Sequence, residues 1–355
     1  KKINYLIYIL VNMSNHIIWI VPIIAVPFAF IATLLLIFLS RKFNLFKNNI
    51  EKAPLVGGLA IYTVLFLLTL IFEMPKKIES IVFISSIIVL TGFLDDIIIL
   101  SAKLRLLIHL FASLLLIYVT NLYIIDISFI LFENKDSLSI IGIIITLLIV
   151  IGLTNGFNFI DGIDGLSAGQ ALITIVLIVI IQAITDNYYQ IFYLSILSAL
   201  LLTYLMFNLS AFKFEKIFLG DAGSTLLGFT ISWALIYFTQ PPISTFNPIF
   251  AIWCVTLPVY DLFYVILKRI SIKKSPMAGD RNHLHYKLVD EGLNKKFVLI
   301  LYLIISFSIS LIGIMISDFL DPLISFSFYF IFLILYCLFM FNFNSVIKFI
   351  KSYYL

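Results

Sequence analysis

Apolar residues in this chain run in long blocks separated by short polar stretches. The blocks fall at 18–40, 55–73, 80–94, 104–124, 138–154, 167–185, 191–208, 222–239, 248–267, 297–316 and 323–343. A helix needs about 20 apolar residues to cross the hydrocarbon core of a bilayer. The pattern therefore predicts an all-α integral membrane protein of eleven transmembrane helices, with 80–94, 191–208 and 222–239 near the short limit. No internal repeat or low-complexity linker divides the chain, so residues 1–355 read as a single polytopic domain.

Composition points to the same solvent. The chain is 62% hydrophobic and 12% charged, with mean hydropathy +1.14, whereas a soluble domain carries about 25% charge. The expected partner is the lipid bilayer, and no nucleic-acid partner is expected. Cys254 and Cys337 both lie in apolar blocks, which points to neither a disulfide nor a metal site. Lys1 and Lys2 open the chain with no small-residue cleavage site behind them, so no removable leader is expected.

An odd number of spans puts the termini on opposite sides, and Lys and Arg decide which side is cytoplasmic. Segments 41–54, 95–106, 155–166, 209–221, 268–296 and the C-terminal tail hold 18 of the 23 basic residues. Only Lys1, Lys2, Lys76, Lys77 and Lys135 fall on the other side. This bias places the N-terminus outside and the C-terminus in the cytoplasm, with 268–296 as the longest cytoplasmic loop. Every unusual polar motif then lies on the cytoplasmic face.

Four motifs carry candidate chemistry. In "GFLDDIIILSAKLRL", Asp95 and Asp96 close the third block, and Lys103 and Arg105 open the fourth. A helix-end acid pair in the headgroup region is the ordinary reading. Adjacent carboxylates also repel, which favours a bound cation or a shared proton. In "NGFNFIDGIDGLSAG", Asn155, Asn158, Asp161 and Asp164 recur every three residues among four glycines. An Asp at the centre of a span costs about 2.5–3.5 kcal/mol, so these acids are expected to line a polar cavity at the cytoplasmic end. Asp and Asn oxygens suit a hard cation such as Mg²⁺, and the glycines let backbone approach a phosphate or a base closely. In "IFLGDAGSTLLGF", Asp221 opens the eighth block, either as a helix cap among small packing residues or as a further acid of the same site. The long loop contains "DRNHLHY", with Arg281, His283 and His285. Binding of an anion such as a pyrophosphate suits this cluster better than a metal. Asp261, a single acid inside the ninth block, joins the set.

A cytoplasmic cluster of carboxylates ringed by Lys, Arg and His is a layout for a divalent cation holding a diphosphate, and a lipid-embedded frame suggests a lipid substrate. With "KAPLVGGLAI", "GFLDD", "SAKLRL", "NGFNFIDGIDGLSAG", "FLGDAGS", "LPVYD" and "DRNHLHY" in this order, the chain resembles the polyprenyl-phosphate N-acetylhexosamine-1-phosphate transferases over nearly its whole length. Its eleven-span, N-out pattern is similar to the WecA and TagO branch rather than that of MraY.

The resemblance implies transfer of a sugar 1-phosphate from a UDP-sugar to undecaprenyl phosphate, releasing UMP, with Mg²⁺ or Mn²⁺, in a bacterial inner membrane. The product would be the first lipid-linked intermediate of a cell-surface glycan. The resemblance further implies a metal on Asp221 and Asn158. Asp95 and Asp96 would receive the lipid phosphate and Lys103 would neutralise it. Asp161 and Asp164 would line the nucleotide site, with Phe218 stacked on uracil and Asn155 a further substrate-binding residue. Arg281, His283 and His285 would hold the diphosphate and sugar. The family's last motif usually ends in paired histidines, but Tyr286 stands second here, so the donor sugar stays open. A phospho-MurNAc-pentapeptide transferase-like enzyme and a membrane transporter are the alternative readings. The sequence leaves the oligomeric state open, a homodimer included.

Overall fold

A computed structural model describes residues 2–46, 53–72, 74–125, 139–184, 191–241, 244–276 and 280–354, with side chains from Ile20 onward except at 139, 184, 191, 212, 350 and 352–354. Segments 126–138 and 185–190, expected above to be mostly loop, lie outside the described residues. The helices are α1 (Lys2–Lys42), α2 (Gly57–Ile71), α3 (Lys76–Ile98), α4 (Ala102–Thr120), α5 (Ser139–Ile160), α6 (Leu166–Ile184) and α7 (Ile191–Asn208). They continue with α8 (Gly220–Thr239), α9 (Pro248–Cys254), α10 (Thr256–Ser271), α11 (Leu284–Asp290), α12 (Lys295–Phe319), α13 (Pro322–Phe341) and α14 (Phe343–Tyr354). No strand occurs among the described residues.

Each apolar block of the sequence is helical over most of its described length. Among the described residues eight helices are long and apolar enough to cross a membrane: α1 from Ile20, α3, α4, α5, α6, α8, α12 and α13. α2 and α7 are apolar but shorter. Block 248–267 departs from the expected single helix. It is a pair, α9 and α10, bent by 72°. The cause is local. Proline has no N–H, and its ring clashes with the carbonyl four residues back, so Pro258 cannot serve the carbonyl of Cys254. Val255 leaves helical geometry there, at φ −124° and ψ 26°, and the Thr174 hydroxyl from α6 takes up the freed Cys254 carbonyl at 3.0 Å.

Large apolar side chains such as Leu107, Phe111, Leu148 and Ile300 stay exposed on the outer helices, as a lipid solvent permits. The opposite extreme is α8, whose span is buried throughout. It lies at the centre, packed by α2, α3, α5 and α6. Small residues allow this. Without a hydrophobic drive between helices in lipid, close backbone approach supplies the association energy. A Cβ added to Gly58 would collide with the backbone of Gly223, one added to Gly92 with that of Ala222, and one added to Gly228 with the Leu153 carbonyl. The approach to α8 is fixed by backbone pairing: Phe218 N–H donates to Pro54, while Gly57 and Gly58 N–H donate to Phe218 and Leu219.

Gly92→Ala should therefore force α3 away from α8. Overpacking of this kind costs about 1–3 kcal/mol. The thermal unfolding midpoint of the purified protein in detergent should fall, while Gly152→Ala, whose added Cβ meets only Leu262 at 3.7 Å, should leave it in place. Equal midpoints would show that the α3–α8 contact is not tight.

Candidate active site

The two acids that end α3 do different things. Asp95 is 6% exposed; it accepts from the Leu100 N–H and pairs with the Arg105 guanidinium from α4. Asp96 reaches across to α8, whose first N–H groups have no partner within their own helix. Leu219, at the capping position, has no side-chain acceptor. Asp96 supplies it, accepting from Asp221 N–H at 2.9 Å and Ala222 N–H at 3.4 Å.

Asp221, in the first turn of α8, is held from two sides. Its Oδ1 accepts from the Asn158 amide at 2.7 Å, and its Oδ2 from Arg105 at 3.3 Å. Asn158 is fixed in turn by Ser224 Oγ at 2.9 Å. Asn158 belongs to the last turn of α5, and Asp161 to Gly165 form the turn into α6. Gly165 sits at φ +77°, a conformation that costs glycine little. Asp164 pairs with Lys216 at 2.9 Å, and the Lys216 ammonium lies 4.7 Å from the centre of the Phe218 ring.

These residues surround one cavity of about 560 Å³, lined by Asp96, Asn158, Asp161, Asp164, Phe218 and Asp221 among others, with Lys295 at its edge. Asp161 accepts no hydrogen bond from the described residues. Burial, with Asp221, Asp96 and Asp164 nearby, holds its carboxyl well above the usual carboxylate range. Such a site favours a cation. Among the described residues no three His, Cys, Asp or Glu side chains stand close enough to hold a metal by themselves. Mg²⁺ is commonly held by one or two carboxylates with substrate phosphates and water completing its shell. The hard oxygens of Asp221, Asp161 and Asn158 around one cavity fit that mode.

Six of the twelve expected site residues thus meet at the cavity. Asp95 is not among the lining residues. Asn155 turns its amide back to the Ile151 carbonyl at 2.8 Å and does not line it. Lys103 is exposed at the start of α4. The remaining three belong to a second cluster. Buried Asp261 accepts from Leu284 N–H at 3.0 Å and Tyr336 hydroxyl at 2.9 Å, and its Oδ2 lies 2.7 Å from His283 Nδ1. This fixes the loop so that His285 and Tyr286 cover Gly162, where an added Cβ would collide with both. Arg281 stacks on the Tyr286 ring at 4.5 Å and pairs with Asp290 at 2.6 Å.

Sequence reasoning left Arg105, Lys216 and Lys295 out of the site. Arg105 and Lys216 adjoin motifs, in "SAKLRL" and before "IFLGD", but spacing alone does not say which basic residue turns inward. Arg269 is a further cation of the second cluster, fully buried, paired with Asp280 at 2.9 Å and stacked 4.9 Å from the Phe159 ring.

Fold and cavity together define a multi-pass membrane protein with an acid-lined site fed by several helices. Residues 78–239, which hold the acids of that site, match the model of glycosyl transferase family 4. The chain is 32% identical over 271 residues to the "Probable undecaprenyl-phosphate N-acetylglucosaminyl 1-phosphate transferase" of Bacillus subtilis, covering 75% of this chain and 74% of that protein. It is 28% identical over 298 residues to the "Undecaprenyl-phosphate alpha-N-acetylglucosaminyl 1-phosphate transferase" of Escherichia coli K12, covering 81% of each. The protein of that name from Yersinia pestis is 27% identical over 310 residues, covering 86% of this chain and 85% of its own. The chain belongs to glycosyl transferase family 4.

Burial, opposed by Asp261 and reinforced by the charge on Arg281, lowers the His285 pKa from 6.5 to about 4. Between these values the unfolded chain binds a proton that the folded protein does not. The folded state therefore keeps its full advantage above pH 6.5 and loses it as pH falls toward 4. His285→Gln should flatten that loss. Thermal midpoints at pH 7 and pH 5 should differ less in the variant than in the unaltered protein, and an identical difference would mean that His285 is not held neutral.

Proposed function

We propose that this protein transfers an N-acetylated hexosamine 1-phosphate from a UDP-sugar to undecaprenyl phosphate, releasing UMP. The observation that carries the reading is Asp221. It stands on the wall of the acid-lined cavity, held between Asn158 and Arg105, in a chain whose relatives are named for this reaction.

An oxygen of the lipid phosphate attacks the sugar-bearing phosphorus of the UDP-sugar, and the bond to the bridging oxygen breaks to free UMP. Phosphoryl transfer asks a protein mainly for positioning and charge neutralisation. When bound, Mg²⁺ supplies neutralisation at the diphosphate; Asp221, Asp161 and Asn158 are the residues that would hold it, and Mn²⁺ has the same donor preference. Arg105 adds a fixed positive charge beside Asp221. Lys216, Phe218 and Asp164 form the nucleotide wall. Asp96 lines the cavity and Asp95 does not, so Asp96 orients the incoming phosphate and Asp95 fixes Arg105. Lys103 lies at the entrance for the lipid headgroup. His283, His285 and Arg281 face the donor sugar, with Tyr286 setting sugar choice.

The bundle crosses the bacterial inner membrane with its N-terminus outside and its C-terminus in the cytoplasm. The 18-to-5 division of basic residues supports this orientation. The two short apolar helices and the bent pair complete the eleven spans, and the acid cavity lies at the cytoplasmic end. The lipid-linked sugar made there starts a cell-surface glycan.

Membranes carrying the protein, given undecaprenyl phosphate and a panel of UDP-sugars, should release UMP with at least one N-acetylated donor, and only with lipid phosphate and Mg²⁺ present. Asp221→Asn should reduce the rate on the order of 100-fold or more, the range for removing one well-placed electrostatic partner. UMP release that ignores the lipid acceptor, or near-normal Asp221→Asn activity at saturating Mg²⁺, would overturn the assignment.

A further inference from the structure

Away from the acid cavity, the inner half of α12 carries a stripe of buried polar side chains: Tyr302, Ser306 and Ser310, each with no exposed surface. Their hydroxyls have no partner among the described residues, and neither does either polar atom of Gln170 on α6, which is also fully buried. The serines are unusual in this respect. Buried hydroxyls elsewhere in the bundle, such as Ser85, Ser113 and Thr203, donate to the carbonyl four residues back. On the same face of α12, Ser317 bonds to Gly313 and Ser325, and Ser325 accepts from the Trp253 indole. The outer half of the stripe is satisfied by protein and the inner half is not.

The helices that carry these atoms pack together. Leu299 packs on Gly165, Leu303 on Gly169, and Gly313 lies against the Trp253 ring. Ser306 and Ser310 therefore come level with Gln170, Thr174 and the break between α9 and α10. That break has already released the Cys254 carbonyl, which accepts from Thr174 and has a second lone pair. Tyr302 lies within electrostatic reach of Asp261 farther along α10. In lipid-facing protein a buried polar group without a partner costs several times a typical net hydrogen bond. An arrangement of neutral donors and acceptors with no carboxylate among them is suited to water.

We propose that the bend between α9 and α10 holds a buried hydration site of roughly two ordered waters, at about three hydrogen bonds each. The waters bridge Gln170, Tyr302, Ser306 and Ser310 to the freed Cys254 carbonyl. They add to the Thr174 bond on the carbonyl that Pro258 cannot serve, and so support the bend above Asp261, the residue that anchors the His283 loop. This site is independent of the proposed transfer reaction.

X-ray hydroxyl-radical footprinting of the purified full-length protein tests it, because radicals born from bound water oxidise neighbouring side chains that bulk solvent does not reach. Tyr302 should oxidise several-fold faster than Tyr260, which is equally buried but whose hydroxyl donates to the Tyr329 carbonyl at 2.6 Å. Gln170→Leu, or Ser306→Ala with Ser310→Ala, should bring Tyr302 down toward Tyr260. A rise at both tyrosines would mark unfolding of that variant and leave the comparison in the unaltered protein to decide. Equal rates there, or a fast Tyr302 unmoved in the folded variants, would overturn the proposal.

Discussion

The site depends on one bond made across two helices, the Asp96 carboxylate on the first N–H groups of α8. A helix that starts inside a protein leaves its leading N–H groups without partners, and away from water that cost is several kcal/mol per group. α8 has no acceptor of its own at the capping position. The acceptor comes from α3, and α3 comes close enough only because Gly92 presents no side chain to Ala222. Asp221 is the second residue of α8. Its place between Asn158 and Arg105 therefore follows from how that helix begins. Packing of small residues and placement of the functional carboxylate are one constraint.

A second anchor works from the other side. Asp261 is fully buried and takes three partners: His283, Leu284 N–H and Tyr336. It ties the 280–290 segment to α10 and α13 at once. The two anchored halves meet at the turn after α5, where His285 and Tyr286 rest on Gly162 and Asp161 and Asp164 face the cavity. A side chain at 162 would push the halves apart. The glycines of "DGIDG" thus serve the contact between the two halves as well as the turn.

Much of the architecture was legible because lipid imposes it. Any block near 20 apolar residues must become helix to satisfy its own backbone, and each block did over most of its described length. The bend at Val255 was not legible from hydrophobicity, since both sides of it are apolar; Pro258 was its only mark. Within the site, the motifs identified the acids but not their directions. Lys103 and Arg105 are two residues apart on a helix and so point to nearly opposite sides; only packing against α3 selects Arg105. Asn155 shares the three-residue spacing of its motif, yet α5 stays helical through Ile160. One turn short of the cavity, Asn155 bonds back to its own helix. Spacing identified the segment, and helix length decided which of its residues arrive.

The partners of the cavity acids are unevenly shared. Asp96 has backbone N–H groups, Asp164 has Lys216, and Asp221 has Asn158 and Arg105. Among the described residues Asp161 has none, although Asp96, Asp164 and Asp221 all act on it. Asp161 is therefore the cavity acid with no fixed partner among the described residues, and Asp221, whose charge acts on it most, has one oxygen in a long bond. That oxygen, Oδ2, is held by Arg105 at 3.3 Å, longer than the 2.7–2.9 Å of a strong charge-assisted bond. In the proposed transfer, Asp161 and Asp221 are the acids that would hold a cation, and Arg105 can leave this weak bond. Arg105 keeps its stronger pair with Asp95 and frees a donor toward an incoming phosphate. Asp95, buried and outside the cavity, then holds the arginine in place when Asp221 lets go.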